Sequence, residues 1–191
     1  QEINENLTNT IQDTNISAPN KKVGKVRDAY FLDDKVVMIS TDRQSAFDRV
    51  LAAIPYKGAV LNSVSAWWFK KTENLFPNHL ISTPDPNVSI VEKCTVFPVE
   101  FVVRGYITGT TDTSLWTVYN KGDREYCGNV LPEGLKKNDK LDTPMLTPTT
   151  KDKVHDRPVS REEIIELGLM TAEDYDVAAK MSLELFAFGQ E

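Results

Sequence analysis

The sequence predicts an α+β protein, with antiparallel strands in its first half and capped helices closing its second. Three observations carry that expectation. A basic run at residues 21–30 and a largely apolar one at 35–40 flank an acidic turn, Asp33-Asp34, which is a hairpin pattern. Residues 97–109 alternate side chains with the period of two that marks a strand. Ser160-Arg161-Glu162-Glu163 is a capping box before Ile164, Ile165 and Leu167, and Thr171 opens a longer amphipathic run.

The chain has 191 residues, enough for one large domain or two small lobes. Its net charge of −6 argues against general nucleic-acid binding, which needs a basic face. Cys94 and Cys127 lack metal-type spacing, and only His79 and His155 could join them, so both read as reduced thiols in a cytosol-like compartment. No apolar run approaches the ~20 residues of a membrane span, and the start has no signal-peptide core, so a soluble, cytoplasmic protein is expected.

In chain order, residues 1–20 are polar and read as a loose tail or a short peripheral helix. Lys21, Lys22, Lys25 and Arg27 then crowd positive charge around Gly24. That hairpin could lie over phosphates, Gly24 allowing close backbone approach; by motif alone a solvated basic strand is favoured, since neither a Walker loop nor a G-x-G-x-x-G is present. The run Thr41-Asp42-Arg43-Gln44-Ser45-Ala46-Phe47-Asp48-Arg49 reads as a donor-rich loop, in which Asp42, Ser45 and Asp48 share a face only if it turns helically. Leu61, Val64, Trp68 and Leu75 recur at near-helical spacing, predicting a helix begun by Asn62 or Ser63. Its Trp67, Trp68 and Phe69 read as packing rather than a base-stacking platform, and residues 87–96 as a further strand.

Residues 97–109 are the most informative run. Strict alternation sends Val99, Phe101 and Val103 to one face and Glu100, Val102 and Arg104 to the other. Arg104, followed by Gly105 and Gly109, suits an anion; a structural Glu100/Arg104 ion pair explains the same spacing. A short helix follows at residues 115–119, capped by Thr113 or Ser114, and residues 128–158 read as a long loop rich in lysines, acids and hydroxyls. In the final helix Ala178, Met181, Leu185 and Phe188 form the apolar stripe.

These runs together resemble the phosphoribosylaminoimidazole-succinocarboxamide synthase (SAICAR synthetase) family over about residues 22–191. The resemblance rests on Gly24-Lys25-Val26-Arg27-Asp28, Asp42-Arg43-Gln44-Ser45-Ala46-Phe47-Asp48, Phe97-Pro98-Val99-Glu100-Phe101-Val102-Val103-Arg104-Gly105, Lys137-Asn138-Asp139 and Leu146-Thr147-Pro148-Thr149-Thr150-Lys151. The third is the family's own signature, and the whole is similar to the form found in yeast, plants and some bacteria. It implies an antiparallel β lobe and an α/β lobe, related to ATP-grasp and kinase-like folds, with nucleotide in the cleft between them. Residues 21–97 would then be the ATP-binding lobe, and 98–191 the hinge and the first part of the substrate lobe, after a tail at 1–20.

The implied activity is an ATP- and Mg²⁺-dependent ligase of purine biosynthesis. It joins L-aspartate to carboxyaminoimidazole ribonucleotide (CAIR) through an acyl phosphate. Gly24, Lys25 and Arg27 would meet the ATP phosphates, and Glu100 with the backbone through Val102 the adenine. Arg104, with Thr110 or Ser114, would hold the ribonucleotide phosphate, and Asp42, Ser45, Lys137, Asp139 and Lys151 are further substrate contacts. The family's second signature, of the type Val-Asp-Thr-Lys-x-Glu-Phe-Gly, would begin where this chain reaches Gly189-Gln190-Glu191, which puts the metal-binding and catalytic carboxylates beyond Glu191. Two rival readings follow. One is a non-catalytic purine-nucleotide-binding fragment; the other, a phosphotransferase acting on a different small acid, lacks a kinase catalytic-loop pattern.

Overall fold

The basic run folds back on itself at Gly24, where a Cβ would lie 2.8 Å from the Arg27 carbonyl oxygen. Lys21–Val23 (β1) and Arg27–Phe31 (β2) pair on either side of that turn, and Lys35–Ser40 (β3) pairs with β2 across the acidic turn. Val88–Glu92 (β7) and Leu80–Asp85 (β6) complete an antiparallel sheet of order β1-β2-β3-β7-β6. The computed structural model describes residues 5–46, 49–151 and 156–191, and the chain divides into two compact units, Gln1–Thr95 and Val96–Glu191. Strand β6 was not expected from a segment holding Pro84 and Pro86. It is the sheet's edge, where a missing N–H costs no ladder bond.

The first unit corrects several expectations. Residues 11–14 are not loose. The Ile11 N–H donates to Asp42 Oδ2 at 2.8 Å, and the Thr14 hydroxyl to Asp28 Oδ2 at 2.7 Å. In the donor-rich run at 41–49, Arg43–Ala46 is not loop but a strand (β4), paired antiparallel with Arg49–Ala53 (β5). Asp42 and Ser45 therefore do not share a helical face, and Phe47 and Asp48 lie outside the described residues. The helix, Lys57–Thr72 (α1), starts a turn earlier than Asn62 because Asp42 Oδ1 accepts from the Gly58 N–H at 2.8 Å, supplying a cap from a distant strand end.

Helix α1 also buries a different face from the one expected. Gly58 and Asn62 are buried, whereas Leu61, Val64, Trp67, Trp68 and Leu75 are exposed. Phe69 packs inward, its ring meeting His79 edge-on with centroids 5.1 Å apart, whereas Trp67 and Trp68 meet each other edge-on at 4.9 Å on the exposed side.

In the second unit, residues 97–109 are two strands rather than one. Val99–Glu100 (β8) pairs with Thr149–Thr150 (β13), while Val103–Tyr106 (β9) pairs with Lys140–Leu146 (β12). Pro148, buried between β12 and β13, has no N–H, so neither ladder runs through that level. Strict alternation fails with it: Val102 and Arg104 are half-buried along with Val99, Phe101 and Val103. The expected long loop, 128–158, holds β12, β13 and Asn129–Val130 (β11), which pairs with Glu125–Tyr126 (β10) just before it.

Leu115–Asn120 (α2), Arg161–Glu166 (α3) and Ala172–Phe188 (α4) follow the sequence closely. The capping box forms, with Ser160 Oγ accepting from the Glu163 N–H at 3.2 Å and Glu163 Oε2 from the Ser160 N–H at 2.7 Å. Thr171 Oγ1 caps α4 by accepting from the Asp174 N–H at 3.1 Å. One cluster of side chains gathers Ile107, Leu115, Tyr119, Tyr126, Leu131 and Leu141, and a second gathers Val159, Ile164, Met170 and Tyr175. Each such aliphatic or aromatic burial stabilises by about 1.5–3 kcal/mol. Leu185 of the expected α4 stripe is exposed, and Tyr175 is the buried residue of that helix.

Both cysteines are free thiols. Burial pushes the Cys127 thiol up to about 11, whereas Cys94 is exposed. Cys94 is expected to react at once with an aromatic disulfide at pH 8, and Cys127 on the order of a hundredfold more slowly, because the thiolate is the nucleophile. Equal rates would show that Cys127 is open to solvent.

Candidate functional site

The expected site residues fall in both units. In the first, the turn Gly24-Lys25-Val26 is anchored through its carbonyls. Arg43 Nη2 donates to the Gly24 oxygen at 3.0 Å and Nε to the Lys25 oxygen at 3.2 Å. The Thr41 N–H and hydroxyl both donate to the Val26 oxygen, at 3.0 and 2.8 Å. Arg43 is buried against Asp28, with Nη2 to Oδ1 at 2.7 Å. Burial pushes the Asp28 carboxyl up, but hydrogen bonds from Arg43, Thr14 and Lys21 outweigh it and hold it below the ordinary carboxylate value.

Arg27 stands at the start of β2 with its side chain exposed, and no carboxylate pairs with it among the described residues. A cavity of about 170 Å³, lined in part by Arg27, Ser40, Thr41, Asn62, His79 and Ser89, lies between α1 and the sheet. Asn62 accepts from the Ser89 hydroxyl at 2.8 Å. Asp42 is not placed as a substrate contact would be: it is buried, and both its oxygens are taken, by Ile11 and Gly58. Ser45 is half-buried in β4 opposite Val50.

In the second unit the Glu100/Arg104 ion pair that the spacing also allowed does not form. Glu100 instead accepts from Lys151 Nζ at 2.8 Å, and Lys151 also reaches Asp156 at 3.0 Å. Those two carboxylates, Glu100 first, raise the Lys151 pKa. Arg104 donates through Nε to Thr147 Oγ1 at 3.0 Å and has no carboxylate partner among the described residues. Thr147 in turn ties down the Val102 carbonyl, from its N–H at 2.8 Å and its hydroxyl at 3.1 Å.

The hydroxyl candidates differ in placement. Ser114 is buried and donates to the Thr111 carbonyl at 2.8 Å, with Gly109 so close that a Cβ there would lie 2.4 Å from Ser114 Cβ. Thr110 is exposed. Lys137 is exposed in a turn where Asp139 Oδ2 accepts from the Lys136 N–H at 2.7 Å, and the Asn138 N–H joins that turn to the Ile107 carbonyl at 2.7 Å.

Sequence reasoning missed Arg43, Thr41 and Thr147 as supports. Arg43 lay inside a run already marked as rich in donors. Its partner Asp28 is fifteen residues away, and no local spacing links them.

The model of the SAICAR synthetase family matches residues 20–191. The chain belongs to the SAICAR synthetase family. It is 58% identical over 181 residues to the phosphoribosylaminoimidazole-succinocarboxamide synthase of Legionella pneumophila (strain Lens), covering 95% of this chain and 58% of that relative. It is 56% identical over 190 residues to the chloroplastic enzyme of that name from Vigna aconitifolia, covering 97% of this chain and 56% of the relative. The SAICAR synthase of Saccharomyces cerevisiae, solved with SAICAR, superposes with a TM-score of 0.77 at 30% identity, covering 93% of this chain and 64% of that one. The chain thus spans a little over half the length of the curated SAICAR synthetases it matches, and its α+β fold is theirs. Among the described residues no helix is long and apolar enough to cross a membrane.

Proposed function

We propose that this chain supplies the nucleotide-binding strands and the ribonucleotide-phosphate anchor of a SAICAR synthetase, an ATP-dependent ligase of purine biosynthesis. In that reaction a CAIR carboxylate oxygen attacks the γ-phosphorus of ATP and ADP leaves. The amine of L-aspartate then attacks the acyl carbon, phosphate leaves, and SAICAR results. A carboxylate is a poor electrophile, so the phosphoryl group supplies the leaving group. What the protein adds at this stage is positioning and positive charge.

One observation carries the reading. Arg104 is a half-buried arginine, oriented through Nε by Thr147, whose guanidinium has no carboxylate partner among the described residues of an acidic chain. A guanidinium oriented and left without a counter-charge suits a phosphate, which it can grip with two parallel bonds. Thr110, exposed beyond Gly109, is better placed to add a hydroxyl than Ser114, whose own proton is committed to Thr111. Gly24, Lys25 and Arg27 take the ATP phosphates, and Glu100 with the backbone through Val102 meets adenine. Ser45, Lys137, Asp139 and Lys151 are further substrate contacts in this reading, whereas Asp42 works as a cap and tether.

Magnesium enters with the triphosphate, which it neutralises and orients when bound. Among the described residues no three carboxylates, imidazoles or thiols converge, so these residues alone do not make a metal site and no step is assigned to one. The partners are small molecules, with neither nucleic acid nor membrane, and the compartment is cytoplasmic and reducing, in keeping with two free thiols.

Calorimetry tests the anchor. The chain is expected to bind CAIR and not its dephosphorylated nucleoside, and Arg104→Ala to weaken CAIR binding by about 1.5–3 kcal/mol, the worth of a charge-assisted bond. Equal binding of nucleotide and nucleoside would remove Arg104 from the site. Aspartate- and CAIR-dependent release of ADP tests the ligase activity itself.

A further inference from the structure

The structure assigns to Arg43 a positioning role that goes past its ion pair: it holds the Gly24-Lys25-Val26 turn in the shape that receives nucleotide phosphates. This inference rests on the nucleotide reading given above. The guanidinium divides its donors among four acceptors. Nη2 meets Asp28 Oδ1 at 2.7 Å and the Gly24 oxygen at 3.0 Å, Nε the Lys25 oxygen at 3.2 Å, and Nη1 the Gln12 oxygen at 2.5 Å. Only the first is the ion pair. The other three are backbone carbonyls, two of them in the turn itself.

That arrangement dictates which way the turn faces. A trans peptide holds its C=O and N–H on opposite sides, and the chain contains no cis peptide. With the Gly24 and Lys25 oxygens drawn inward to Arg43, the N–H groups of Lys25 and Val26 are turned to the outer side of the turn. The Thr41 N–H and hydroxyl do the same to the Val26 oxygen. Successive backbone N–H groups facing one way make a concavity that suits an anion, and Lys25 and Arg27 flank it. Gly24 permits the tight return, since any Cβ would crowd the Arg27 carbonyl.

Arginine is required for this because its planar fork reaches several acceptors at fixed angles. A lysine can satisfy Asp28 but not both carbonyls. Arg43 does not touch the nucleotide; it acts through the turn, with Asp28 orienting the guanidinium.

The test titrates this chain and its variants with ATP and with adenosine. Arg43→Lys is expected to weaken ATP binding by tenfold or more and to leave adenosine binding unchanged, while hydrogen exchange quickens at the Gly24 amide, which closes the turn by donating to the Arg27 oxygen at 2.8 Å. Thr41→Val is expected to weaken ATP severalfold, and Thr41→Ser, which keeps the hydroxyl, to restore it. Unchanged ATP affinity in Arg43→Lys overturns the inference. If Arg43→Lys fails to fold, as far-ultraviolet circular dichroism would show, Thr41→Val decides: ATP affinity equal to that of the unaltered chain overturns it. Parallel losses for ATP and adenosine also overturn it, because they mark a general structural defect. Failure of the unaltered chain to bind ATP at all would instead overturn the nucleotide reading, and this inference with it.

Discussion

Gly58→Ala is expected to destabilise the first unit by about 3 kcal/mol or more, the upper range for inserting a methyl group where nothing can yield. A Cβ at residue 58 would lie 2.2 Å from the Ser40 oxygen, 2.6 Å from Asn87 Nδ2 and 2.8 Å from the Ser40 carbonyl carbon. Two of those three atoms are strand backbone. They are pinned as well: Ser40 N–H donates to the Asn87 oxygen at 2.8 Å, and Asn87 Nδ2 returns a bond to the Ser40 oxygen at 2.8 Å. Alanine gains about 1 kcal/mol of intrinsic helix propensity over glycine, which offsets only part of the clash. Helix α1 would have to lift from β3, and the Gly58 N–H would leave Asp42. The measurement is the denaturant midpoint of the first unit. An unchanged midpoint would mean that the helix shifts without cost and that close approach is not what this glycine provides.

Asp28→Asn is the second large effect, expected to cost about 3–5 kcal/mol, since removing one member of a buried ion pair strands the other. Asp28 is fully buried, and its carboxylate accepts from Arg43 at 2.7 Å and Thr14 at 2.7 Å with Lys21 at 3.2 Å. Asparagine keeps the shape but leaves the Arg43 guanidinium without its counter-charge. The pH dependence follows from the direction of the shift. The folded-state pKa of Asp28 lies below the ordinary value near 3.9, so its contribution is fully present above about pH 4 and is lost as pH falls towards the folded value. Stability of the unaltered chain should therefore fall more steeply below pH 4 than that of Asp28→Asn. Parallel acid profiles would show that Asp28 is not held in its charged form by the fold.

Much of the local structure was legible without coordinates because its causes are local. The Ser160 capping box, the Thr171 cap, the short helix after Ser114 and the Asp33-Asp34 hairpin each depend on residues within a few positions of one another. The errors share one cause, which is a partner distant in sequence. Asn62 looked like a helix start, but the cap came from Asp42. The apolar stripe of α1 looked like its buried face, but a glycine and an asparagine lie against β3 and β7. Residues 97–109 looked like one strand, but Pro148 on the neighbouring chain segment interrupts both ladders at one level.

The site divided in the same way. Spacing alone left Glu100 and Arg104 equally open to an ion pair or to a ligand. Tertiary structure decided it by giving Glu100 to Lys151, which is fifty-one residues away, and by leaving Arg104 with a threonine instead of an acid. What the sequence determined by itself was the residue inventory, the local caps and turns, and the family motifs, because these are properties of short stretches read in order. What only tertiary structure decided was which charges are spent inside the fold and which remain for a ligand. That depends on where distant segments meet: Arg43 is consumed by Asp28 and three carbonyls, whereas Arg104 meets no carboxylate among the described residues.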